Sequence, residues 1–171
     1  GCDGTTMRAV AAEAGVGLGT IFSHFDDKGA LLIAALLEDL AETDLEKVET
    51  MPTESRFREQ ILHVAAAGYD YWCRRPALSA TLLRELWFVR GPAAQQRRTE
   101  TAGFIDFVAR LVEGAQRRGE VRSGIDPRQI AEILYTFYVG NLIRAAGDDR
   151  LAVEDLLQAT ESFVDILITG I

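Results

Sequence analysis

Residues 11–32 read AAEAGVGLGTIFSHFDDKGALL, with four glycines, one histidine and one lysine between two apolar runs. A hydrophobic core does not require so many glycines in so short a span. Just upstream, TTMRAVAAEA (5–14) is spaced as a short helix capped by Thr5 or Thr6, with Val10, Ala11 and Ala14 as its small apolar face. Gly15 falls where a helix end needs a left-handed residue, a conformation that glycine adopts cheaply. A tight turn through Val16 and Gly17 leads into a second short helix, LGTIFSHF (18–25). Ala11 lets the two helices cross closely, and Val16 and Ile21 are expected to fill the small core between them. A small residue, a four-residue step to glycine, then apolar residues after the turn meet the demands of a helix-turn-helix. In such a unit the second helix enters the major groove of DNA.

The rest of the chain is also patterned for helices. Joints fall at MPT (51–53), RRPA (74–77), RGPA (90–93), SGIDP (123–127) and AGDD (146–149). Phe57, Ile61, Ala65, Gly68 and Trp72 form one stripe, with Thr53 placed to cap that helix. Asp126 reads as an N-cap, with Pro127 at the first helical position and Gln129 completing a capping-box-like pattern. That helix carries Ile130, Leu134, Phe137, Tyr138 and Asn141 on one side, and the last one lines up Leu156, Thr160, Phe163, Val164 and Leu167. No stretch alternates with period two, so the expected fold is all-α.

Composition limits the possible functions. The chain has 171 residues, 48% of them hydrophobic and 26% charged, which fits a folded domain rather than a disordered one. No apolar run approaches the ~20 residues that a membrane span needs, and the start does not read as a signal peptide. Cys2 and Cys73 lack metal-ligand spacing and suit a reducing, cytoplasmic setting. A net charge of −8 argues against coating by a polyanion but leaves room for one local DNA-binding patch. Within residues 1–30 the balance is −2, with Arg8 and Lys28 against Asp3, Glu13, Asp26 and Asp27.

Thr6, Arg8, AAEAGV, Thr20, FSHF, Lys28 and ALL together resemble the DNA-binding signature of the TetR family of bacterial transcriptional regulators. The resemblance covers residues 4–32 and implies a helix-turn-helix domain over 1–32, with a ligand-binding and dimerisation domain over 33–171. It implies a homodimer that binds a palindromic double-stranded operator, acts as a repressor and leaves when a small molecule binds the larger domain. Carried over by position, Thr6 caps its helix and contacts a phosphate, and Arg8 reaches a guanine edge or a phosphate. Gly17, Leu18, Gly19 and Thr20 present the start of the reading helix, with Leu18 and Thr20 nearest the bases. Phe22, Ser23 and His24 follow on the backbone-facing side, and Lys28 adds a phosphate contact. The family usually has tyrosine where Phe22 stands. The resemblance further implies one more helix and a basic arm ahead of this pair, about twenty residues on the usual lengths of small helices. GCDG (1–4) is then the loop closing that first helix, and without it operator binding is expected to be abnormal.

In the larger domain the aromatics gather between residues 69 and 138, which suits a cavity for a small apolar or aromatic effector. The expected wall is Tyr69, Trp72, Trp87, Phe107 and Tyr138, with Asn141, Arg84, Glu85 and His63 as polar anchors. The resemblance implies a four-helix dimer interface built from helices 127–146 and 151–168, and the greasy end SFVDILITGI (162–171) is consistent with association. No metal or other cofactor is expected, and no membrane. Two alternatives stay open: a helical ligand-binding or interaction module without DNA binding, and an α-helical metal enzyme. The enzyme reading rests on Glu59 and His63, four apart on one helix, with Glu85 and Glu100 as further ligands. It lacks the paired Glu-x-x-His spacing of di-metal bundles.

Overall fold

The structure is a computed structural model and describes residues 6–52, 54–148 and 151–169, the side chains of 41–49 not among them. The described residues form eight helices: α1 (Met7–Glu13), α2 (Leu18–His24), α3 (Lys28–Glu49), α4 (Phe57–Cys73), α5 (Pro76–Phe88), α6 (Gly91–Arg117), α7 (Pro127–Gly147) and α8 (Val153–Thr169). The fold is all-α, and the breaks fall at the glycine- and proline-marked joints. Cys2, Thr5, Thr53 and the chain's last two residues lie outside the described residues.

Local chemistry sets the helix ends. Thr6 caps α1, its hydroxyl accepting from the Ala9 amide at 3.2 Å. At the other end Gly15 takes φ +67°, the Gly15 amide donates to the Ala12 carbonyl and the Val16 amide to that of Ala11. This paired closure is a Schellman motif, and it turns the chain sharply toward α2. Asp27 caps α3 by accepting from the Ala30 amide at 2.8 Å. The start of α4 differs from the Thr53 expectation: its N-cap is Arg56, whose amide donates to Glu59 Oε2 at 3.1 Å. A second donor there, the Phe57 amide, is met from far along the chain by Glu120 Oε2 at 2.7 Å. Asp126 caps α7 as expected, but it accepts from the Arg128 amide, while Gln129 borders an outer groove between α7 and α8.

Two apolar clusters form the interior of the body. One gathers Phe57, Ile105, Val112, Ala131 and Val164 from α4, α6, α7 and α8. The other gathers Ile33, Leu36, Tyr69, Leu82 and Leu156 from α3, α4, α5 and α8. The stripe predicted for α4 is buried throughout, from Phe57 to Trp72. Among the described residues, α1 packs mainly on α2, and only Ala11 and Ile21 of that pair are buried. Val16 departs from expectation: it is 42% exposed, because the Schellman turn carries its side chain outward rather than between the helices.

Candidate DNA interface and effector cavity

The edge of α2 faces solvent. Gly19, Thr20, Phe22, Ser23 and His24 are exposed, Leu18 is half-buried, and Ile21 is the one buried residue of the helix. Phe22 is 50% exposed on that edge. Ser23 Oγ donates to the Thr20 carbonyl at 2.7 Å, so its hydrogen is used within the helix and its lone pairs face outward. Thr6 and Arg8 are exposed on α1, Gly17 is the N-cap of α2, and Lys28 opens α3. The expected DNA-contacting residues therefore lie on the same small two-helix unit and the start of the helix that follows.

That following helix, α3, reaches into the body. Its Leu37 and Leu40 line an internal cavity of about 130 Å³ between the two apolar clusters. Trp72, Trp87 and Tyr138 are on the wall, as expected from the sequence. Tyr69 and Asn141 stand behind it in a closed relay. Arg144 Nη1 donates to Asn141 Oδ1 (3.0 Å), Asn141 Nδ2 to Tyr69 Oη (3.0 Å), Tyr69 to Thr160 Oγ1 (2.9 Å), and Thr160 to the Leu156 carbonyl (2.9 Å). Burial pushes the Tyr69 phenol above its ordinary range, against the pull of the Thr160 and Asn141 hydrogen bonds. Its ring stacks on Tyr138 at 5.0 Å. Tyr138 fits there because position 68 is glycine: a Cβ on Gly68 would lie 2.3 Å from the Tyr138 hydroxyl oxygen.

The other expected anchors are elsewhere. Arg84 is exposed beside Glu85 (3.6 Å), since it lies on the outer side of α5. Phe107 borders the other apolar cluster under the Arg110 guanidinium, 5.9 Å from the ring centre. His63 is paired with Thr50 Oγ1 at 3.2 Å, and Glu59 serves the start of α4. Among the described residues no group of three or more His, Cys, Asp or Glu side chains could hold a metal ion, and no helix is long and apolar enough to cross a membrane. Among the cavity residues not anticipated from the sequence, one is charged and basic. Arg97, in the polar run QQRRTE, reaches the wall from α6.

A helix-turn-helix with an exposed second helix, carried on a helical body with an apolar cavity, is an arrangement that suits binding to DNA. Residues 1–35 match the family described as "Bacterial regulatory proteins, tetR family". The chain thus carries, over residues 1–35, a region similar to the DNA-binding domain of that family. Its fold is similar to that of the regulator FadR from Bacillus subtilis in complex with stearoyl-CoA: TM-score 0.78, 19% identity, covering 100% of this chain and 91% of that one. A TetR transcriptional regulator from Rhodococcus sp. RHA1 gives TM-score 0.72 at 16% identity, covering 99% and 86%. A provisionally assigned transcriptional regulator from Saccharomonospora viridis in complex with choline gives 0.72 at 19%, covering 96% and 87%. At such identities the likeness is one of fold. Comparison with curated protein sequences gives no match.

Proposed function

We propose that the chain is a ligand-responsive repressor that binds a palindromic operator as a homodimer and leaves it when a small apolar or aromatic effector fills the cavity. The observation that carries this reading is the double duty of α3. The helix begins with Lys28, directly after the reading helix, and its Leu37 and Leu40 form part of the cavity wall. Nine to twelve residues of helix place these points about 14–18 Å apart. A ligand that shifts α3 in its packing would therefore move the head with it, and would act by favouring one arrangement over another. That two proteins of similar fold are solved in complex with stearoyl-CoA and with choline supports a small-molecule effector.

Dimerisation is proposed through α7 and α8. Ile133 and Ile143 on α7 and Ile166 on α8 are exposed, Ile143 at 53%, beside a groove floored by the Phe137–Phe163 stack. A twofold pair through this face would set two reading helices one DNA turn apart, about 34–36 Å. The test is fluorescence anisotropy of a labelled duplex taken from upstream of the protein's own gene. Binding should prefer that sequence, fall steeply with salt, weaken on Arg8→Ala, and reverse on addition of a cavity-filling compound. Salt-insensitive binding with no sequence preference would end the proposal.

A further inference from the structure

Among the described residues, Arg97 is the one cationic side chain on the cavity wall. Its guanidinium carbon lies 5.7 Å from the centre of the ring of Trp87, a residue that is 43% exposed. Its Nε is buried and has no hydrogen-bond partner among the described residues. A buried donor of a charged group is costly when unmatched, and native structures nearly always supply an acceptor. The lining beyond it is mostly apolar, with Glu100 and Thr101 as the polar side chains one turn further along α6. The Nε edge of a guanidinium presents two parallel donors, a geometry that fits the two oxygens of a carboxylate.

The surroundings narrow the class. Glu100, one turn further along α6, also borders the cavity but is exposed, so solvent screens its charge. It opposes a highly charged anion more than a monoanion. A cationic ligand is disfavoured, because Arg97 already covers the indole face that an ammonium would use. The volume, about 130 Å³, is close to that of apolar cavities that take a single benzene ring, about 150 Å³.

We infer that the effector is a compact apolar carboxylate, one aromatic ring or a short alkyl chain, whose carboxylate is held by the Arg97 guanidinium. This rests on the cavity being the effector site. Calorimetric titration of the full chain with benzoate, benzamide, octanoate and octanamide tests it. Each acid should bind at least about tenfold tighter than its amide. Arg97→Gln should erase that preference while leaving amide binding unchanged, and Arg97→Lys should retain part of it. Unfolding curves of both variants check that the fold persists. Equal binding of acids and amides by the native protein, or an undiminished preference in Arg97→Gln, overturns the inference while leaving the cavity as effector site. Failure of these four compounds together with every larger apolar compound would overturn the cavity reading itself.

Discussion

Two helices of this molecule end in the same way. At α1, Gly15 takes φ +67° and the amides of Gly15 and Val16 return to Ala12 and Ala11; at α6, Gly119 takes φ +72° and the amides of Gly119 and Glu120 return to Gln116 and Ala115. The consequences are opposite. Beyond Gly119 the chain turns inward, Val121 and Ala115 are buried, and Glu120 meets the Phe57 amide at the head of α4. Beyond Gly15 the chain turns outward, Val16 faces water, and α2 is left with one buried residue. One backbone device thus locks a core and displays a surface. The difference lies in what each turn delivers, and it predicts that the head and the body respond separately to mutation.

The largest effect belongs to the body. Phe57→Ala empties a fully buried site and should lower stability by about 3–5 kcal/mol in chemical denaturation. Next come the matched glycines. No atom would obstruct a Cβ at either, so Gly15→Ala and Gly119→Ala should each cost only the strain of a left-handed alanine, about 1–2 kcal/mol. For Gly119→Ala that loss should appear in global unfolding. Gly15→Ala should leave the body's melting in place and weaken DNA binding. A common loss of global stability would break the comparison.

Acid titration should sharpen it. Burial works to raise the Glu120 carboxyl, but Arg118 and the Phe57 amide outweigh it and hold the group below its ordinary range. A carboxyl depressed in the folded state stabilises fully above its unfolded pKa, about 4.3, and loses that contribution as pH falls through the folded value. Glu120→Gln should therefore be less stable than the native protein near neutrality by about 1 kcal/mol, with the gap closing in acid. The smallest effect expected is Phe22→Tyr. It adds a phosphate donor on the exposed edge and should tighten operator binding by about 0.5 kcal/mol without changing sequence preference or stability.

The sequence disclosed what local chemistry decides. Gly15, Thr6, Asp126 and the apolar stripe of α4 act within a turn or two of helix, so their spacing was enough. Side chains set by packing between distant segments were less visible. Arg97 sits in QQRRTE, which reads as a solvated helix face, and is drawn inward only because α6 passes beside Trp87 of α5. Arg84 had the opposite fate, lying near the aromatics in sequence but outside in space. The relay through Asn141, Tyr69 and Thr160 joins three helices, and no local pattern encodes it. Val16 was misplaced because an apolar residue after a glycine turn reads as core, whereas the turn's own geometry points it out.

The most direct measurement is hydrogen exchange of the full chain, alone and saturated with its upstream DNA. Slowed exchange should be confined to residues 6–8, 17–24 and the first turn of α3, with the amides of α4 and of the α6–α7 connection unchanged. An α2 segment that exchanges equally fast with and without DNA would contradict the account.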